Sequence, residues 1–206
     1  MNTVYNGCGI LTGQMHAIHD KKQGGFPDLY LAGDLCFFEN VKDYFQEAVE
    51  LSENEIEMFV EKGNPKWIRD LKDLTREGIR VVLGHPQQCT IGLLTRQMLE
   101  EKGIYQRVMK NVVSHMSTSG MLVPAATTGS CDVALAWRTD LLAETDRLDA
   151  IPVDSKYAKA IQKLAIARSS DCKELAGRLL RAIVASPARF ESAGFVWRVE
   201  TRGKQP

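Results

Sequence analysis

The features this sequence lacks narrow its class before any motif is read. Neither sign of charge is in excess, since Lys plus Arg and Asp plus Glu number 26 each. No global field therefore draws in a polyanion, and no basic run reverses that, so nucleic acid is not an expected partner. No stretch approaches the roughly 20 apolar residues that span a bilayer, so direct membrane insertion is not expected either. The first residues show no basic-then-apolar export pattern. C-x-x-C is absent, which removes zinc ribbons and thioredoxin-type redox motifs. The five cysteines, Cys8, Cys36, Cys89, Cys131 and Cys172, are widely separated. Their odd number leaves at least one unpaired within a monomer. No internal repeat and no low-complexity segment is visible.

Against these absences, the 206 residues with 44% apolar content are those of an ordinary globular chain. Three stretches stand out: Tyr5-Asn-Gly-Cys-Gly-Ile-Leu-Thr-Gly-Gln14, Gly84-His-Pro-Gln-Gln-Cys-Thr-Ile-Gly92 and Asp132-Val-Ala-Leu-Ala-Trp-Arg-Thr-Asp140. Each puts small or hydroxyl residues where a strand hands over to a helix. The first turn of a helix leaves N–H groups unpaired and carries the positive end of the dipole, so such places bind small anions.

Hydrophobic periodicity predicts strands at Val4-Tyr5, 28–32, 56–60, 79–83, 133–137, 148–153, 162–167 and 195–199. The 28–32 run reads as buried on both faces. Helices are expected over 10–20, 37–49, 90–101, 105–113, 118–128, 171–185 and 187–194, and Trp67, Leu71 and Leu74 share one further helical face. Asp171 is an expected N-cap, and Leu175, Leu179 and Ile183 an apolar stripe. The tail 201–206 reads as polar and mobile. Alternation of strand and helix implies an α/β fold with a mostly parallel sheet.

Several residues invite chemistry. His16 and His19, at i and i+3 beside Asp20, have metal-ligand spacing, but a solvated helix face explains them as well. His85 and Cys89 suggest a base and a nucleophile, although Pro86 breaks the helix between them and no acid orients the imidazole. Cys8, His85 and Cys89 together form an alternative soft-metal set. Cysteines acting as buried small hydrophobes are the competing reading.

The whole chain resembles the periplasmic molybdate/tungstate-binding proteins, solute receptors of ABC transporters with the type II periplasmic-binding fold. The resemblance rests on six segments in order. Tyr5 to Gly9 looks like the family's strand and Gly-Ser-Ser turn, and Pro27 to Asp34 like its "P-A-D-L-F-I-S-A-D" strand. Glu57 to Pro65 is similar to the first hinge strand, and Gly84 to Gly92 to the "D-P…P-A-G" loop that opens a helix. Asp132 to Asp140 resembles "A-D-A-G-I-V-Y-x-T-D", and Ser186 to Phe195 the closing "A-x-x-x-F-x-x-x-G-F".

The resemblance implies two α/β lobes joined by crossing hinge strands: lobe I from 1–58 and 163–206, and lobe II from 59–162. A tetrahedral oxyanion would be gripped between them by hydroxyls and backbone N–H groups, without a neutralising Lys or Arg. The implied activity is binding, not catalysis, with no cofactor, an ABC permease as partner and a periplasmic location. A ligand-sensing domain of a regulator is the alternative on the same fold. Carried over by position, the implied ligand residues are Cys8 and Gly9 in place of the two serines, Ile91 through its N–H at a helix start with the Thr90 hydroxyl beside it, and one of Ser117, Thr118 and Ser119 at another helix start. Trp137 stands where the family has a ligand tyrosine, either as an indole N–H donor or as a core residue. The family's first strand and helix have no counterpart here, so lobe I is expected to be incomplete and its oxyanion affinity altered.

Overall fold

The computed structural model describes residues 2–199; the tail read as mobile lies outside the described residues. The chain divides into two units, Met1–Gly13 with Glu55–Lys159, and Gln14–Asn54 with Ala160–Pro206. One boundary falls inside the 13-residue strand β2 (Val49–Glu61) and another inside helix α1 (Cys8–Asp20).

The first unit is organised by β3 (Val81–Gly84), buried along its length. It lies parallel to β4 (Val112–Met116) and to β5 (Val133–Trp137). The second half of β2 runs antiparallel between β5 and β6 (Leu148–Pro152), with Phe59 opposite Ala134 on one side and Ala150 on the other. Helix α3 (Thr90–Glu101) packs on β3 and β5 through Ile91, Leu94, Met98 and Leu99, all buried. The short helix α4 (Tyr105–Met109) follows it and packs against it. Helix α5 (Leu122–Thr127) covers β5 and β3 with Leu122, Ala125 and Ala126. Burial of these side chains, roughly 1.5–3 kcal/mol each, is what holds α3 on the sheet.

In the second unit β1 (Leu29–Ala32) pairs antiparallel with β7 (Lys159–Ile166), and the first half of β2 pairs with the two-residue β8 (Val196–Trp197). Ser52 donates its hydroxyl to Gln162 Oε1 at 2.6 Å, linking β2 to the neighbouring β7. Tyr30, Phe38 and Phe45 form an aromatic core, with Phe45 5.7 Å from Tyr30 and 6.0 Å from Phe38 between ring centres. Helix α2 (Leu35–Glu39) is capped by Asp34, whose carboxylate accepts the Cys36 N–H. Helices α6 (Lys173–Val184) and α7 (Pro187–Ser192) complete the unit, the latter with proline in its favoured first turn.

Several expectations are corrected. The sheets are mixed, not mostly parallel, because β2 runs against both of its neighbours in the first unit, and hydropathy marks strands without their direction. Val4 and Tyr5 are exposed coil, with no sheet partner. The 37–49 helix stops at Glu39; Phe45 is extended and bridges Ala167, and β2 begins at Val49. β1 is buried on one face only, with Leu31 facing out. The 105–113 helix ends at Met109 because Val112 pairs with Val81. Residues 118–128 split into a 3-10 turn at Ser119–Met121 and α5. Trp67 does not share a helix with Leu71 and Leu74. It is 70% exposed at a positive φ of 52°, while Asp70 caps a 3-10 turn that buries both leucines. Helix α6 is capped at Cys172, not Asp171, and Leu175 is 63% exposed where a buried stripe was expected.

Candidate functional site

Three loops of the first unit meet at the start of α3. β3 ends at Gly84, and the chain turns through His85 to Gln88 into the N-cap Cys89. The turn is tight because a Cβ on Gly92 would lie 2.5 Å from the Gly84 carbonyl carbon and oxygen, and one on Gly84 2.8 Å from Cys89 Sγ. No larger residue fits at either place without moving backbone. The carbonyl of His85 gathers the N–H groups of Gln88 and Cys89, each at 3.1 Å. Cys89 turns its thiol inward, towards the carbonyls of His85 at 3.6 Å and Met116 at 3.7 Å.

The second loop precedes α1. Asn6 accepts the Gly7 N–H, and the Gly7 carbonyl accepts the N–H groups of Ile10 and Leu11, both at 3.0 Å. The Gly9 N–H donates to the Gln88 carbonyl at 3.0 Å, locking the start of α1 to the loop before α3. A side chain on Gly7 would collide with the carbonyl oxygens of Gln88 and Ser117, which places the third loop against the first two. That third loop follows β4: Met116 accepts the His85 N–H at 2.7 Å, and Ser117 turns its hydroxyl to Met121 Sδ at 3.7 Å.

The first turn of α3 holds polar groups without partners among the described residues. Thr90 is 4% exposed, and its Oγ1 has no hydrogen-bond partner among the described residues. The N–H groups of Thr90 and Ile91 likewise have no acceptor among the described residues. A buried unpaired hydroxyl costs roughly 1–3 kcal/mol, and aligned N–H groups at a helix start attract negative charge.

Cys8 and Gly9 open α1, Thr90 and Ile91 open α3, and Ser117 follows β4, each next to one of the three joined loops. Thr118 precedes the 3-10 turn that Ser119 opens. Trp137 ends β5 opposite Ile56, half-buried, and none of the hydrogen bonds that join the loops reaches it among the described residues. The alternative metal set does not assemble: no group of three or more His, Cys, Asp or Glu among the described residues could hold an ion. The reasons are local. Cys89 Sγ faces backbone carbonyls, and His85 Nδ1 accepts the Gln87 N–H at 3.2 Å. His16 likewise spends Nδ1 on the Tyr44 hydroxyl at 2.9 Å, and His19 stacks on the same ring.

The residues that sequence reasoning missed flank the α3 loop. His115 stands edge-on to His85, with ring centres 6.0 Å apart. Burial first, and the neighbouring His85 second, hold its imidazole below the ordinary value. With Pro86, Gln87, Arg96 and Tyr105 the two histidines line an open pocket of about 280 Å³. Arg96 is paired with Glu100 at 2.8 Å and lies over the Tyr105 ring. His115 was hidden because the sequence places it just past an expected helix, when it is the fourth residue of β4. Burial also pushes the Cys89 thiol up, helped by charge on Cys8 and opposed by the backbone at Gly92 and His85.

Residues 2–196 match the family described as "Bacterial extracellular solute-binding protein". No curated protein matches the sequence. Among solved structures, the periplasmic molybdate-binding protein of Azotobacter vinelandii superposes with a TM-score of 0.74 at 15% identity, over 94% of this chain and 86% of that one. The sulfate-binding protein SubI of Mycobacterium tuberculosis gives 0.68 at 18% identity, over 95% and 74%. A periplasmic thiamin-binding protein gives 0.71 at 19% identity, over 92% and 69%. At such identities the likeness is one of fold, and these proteins are named for three different ligands, molybdate, sulfate and thiamin.

Proposed function

The chain belongs to the bacterial extracellular solute-binding proteins, a non-enzymatic family of ABC-type transport, and from that premise we propose that its solute is a tetrahedral oxyanion of the molybdate or tungstate kind. The observation that carries the reading is Thr90. Its hydroxyl is buried without a partner in the same helical turn that leaves two N–H groups unused. A tetrahedral anion presents several acceptors at once and would satisfy all three donors, so its binding offsets the desolvation cost of a buried unpaired hydroxyl.

No Lys or Arg lies in the segments 6–9, 84–92 or 116–119. Fixed dipoles in a buried setting hold a charge without a counterion, because low local dielectric strengthens each hydrogen bond. Ser117 and the half-buried Cys8 flank the turn, and S–H is a weaker donor than O–H. Gly9 contributes little directly, since its N–H is already bound to Gln88. The loaded protein would deliver the anion to an ABC permease outside the cytoplasm.

The test is calorimetric and thermal-shift titration of the purified chain with molybdate, tungstate, sulfate, phosphate and thiamin. Saturable stabilisation by molybdate or tungstate, exceeding that by sulfate and phosphate, is expected. Stabilisation by thiamin alone would overturn the oxyanion reading and leave the family assignment intact.

A further inference from the structure

We propose that Cys8 and Cys89 are a redox pair, which an oxidising medium joins as a disulfide tying the first turn of α1 to the N-cap of α3. The inference holds whichever solute the protein takes. All five cysteines are thiols in the structure, yet these two stand in a relation the others do not share. The 3.0 Å hydrogen bond from Gly9 N–H to the Gln88 carbonyl joins the peptide unit between Cys8 and Gly9 to the one between Gln88 and Cys89. Each cysteine thus flanks one of two peptide groups in direct contact. Such a contact draws the two cysteines towards the roughly 4.4–6.8 Å between Cα atoms that a disulfide requires, and closing the bond turns the Cys89 thiol from the carbonyls it faces.

Gly7 packs against the same Gln88 carbonyl, so the approach is held from two points. The two thiols also sense each other, charge on Cys8 opposing ionisation of Cys89. Among the described residues, no hydrogen bond brings a peptide beside Cys36, Cys131 or Cys172 against a peptide beside another cysteine. The family is extracellular, where disulfides form and persist.

The two positions differ in a way that orders the chemistry. Cys8 is half-buried, while Cys89 is 3% exposed with its thiol disfavoured from ionising. Cys8 thiolate attacks one sulfur of oxidised glutathione, forming a mixed disulfide and expelling a glutathione thiolate. Cys89 then gives up its proton and attacks the Cys8 sulfur, forming the internal S–S bond and releasing the second glutathione thiolate. Two protons leave the protein thiols, and one oxidised glutathione becomes two reduced ones.

The experiment incubates the full reduced chain in graded ratios of oxidised to reduced glutathione. Thiols are then blocked under denaturing conditions and the peptides mapped by mass spectrometry. The expected result is that the Cys8 and Cys89 peptides leave the blocked pool together and reappear as one cross-linked species two hydrogens lighter, while Cys131 stays blocked. Cys89→Ser is expected to stop at a glutathione adduct on Cys8, and Cys8→Ser to leave Cys89 reduced. A wild-type chain that holds the adduct on Cys8 without passing to the cross-link overturns the proposal. So does pairing of Cys8 or Cys89 only with Cys36, Cys131 or Cys172. The wild-type map decides by itself if either variant fails to fold.

Discussion

Helices α1 and α3 begin in similar ways, each after a loop of small residues and each with a cysteine at its start, yet only one keeps unused donors. At α1 the Gly9 N–H is spent on the Gln88 carbonyl. At α3 the Thr90 hydroxyl and the Thr90 and Ile91 N–H groups have no partner among the described residues. A helix start is free to hold an anion only where the surrounding backbone leaves its donors unspent. The α1 loop instead packs against the loop before α3, at the Gln88 carbonyl.

The comparison breaks most completely at Gly92. Gly92→Ala puts a Cβ into the Gly84 backbone, so the first turn of α3 must move. The expected cost is about 3 kcal/mol in urea unfolding, with loss of measurable anion binding. A variant with unchanged stability would show that this close approach is not needed.

Thr90→Val sharpens the comparison, because stability and binding should move in opposite directions. Removing an unpartnered buried hydroxyl leaves the unliganded chain as stable or more stable by about 1 kcal/mol. The same change weakens tungstate binding about tenfold, equivalent to about 1.4 kcal/mol. Equal affinity in the variant and the natural chain would remove Thr90 from the site.

The smallest effects concern pH around α3 and the end of β5. His115 has a lowered pKa, burial being the main cause. The unfolded chain takes up a proton where the folded chain does not, so this contribution is present above the ordinary imidazole value, about 6.5, and is lost as pH falls through it. His115→Asn should therefore flatten the fall in Tm below that value. Asp140 behaves oppositely. Burial raises its pKa to about 6, and its Oδ2 is buried without a partner. The folded form holds the proton more tightly, so stability from this group is present at acid pH and is lost as pH rises to about 6. Asp140→Asn should raise Tm more at pH 8 than at pH 4.5; the reverse order would contradict the assignment.

Legibility in the sequence followed how local each determinant was. Helix α3 was predicted with the bounds it has, because its 3.6-residue period and the glycine after it are local signals. Strand β5 was legible for the same reason, as a short apolar run between turn residues. The stretch 37–49 misled because Phe37, Phe38, Val41 and Phe45 have helical spacing, yet Phe45 is drawn into an extended bridge by Ala167. β4 was lost because Val112 joins Val81 from a distant part of the chain, where no local pattern records the pairing. Family resemblance marked Cys8, Thr90 and Ser117 as ligand candidates, but not that Gly9 would spend its donor on Gln88.

The sequence by itself determined the α/β character, the helix that offers its first turn, the small residues that let loops approach and the likeness to extracellular solute receptors. These depend on periodicity, glycine placement and motif order, which are written in neighbouring residues. Only the tertiary structure decided which donors stay unspent, that the Gly9 N–H meets the Gln88 carbonyl, and that His115 faces His85. Such facts arise from pairings between residues far apart in the chain, whose backbone hydrogen bonds carry no residue-specific signature.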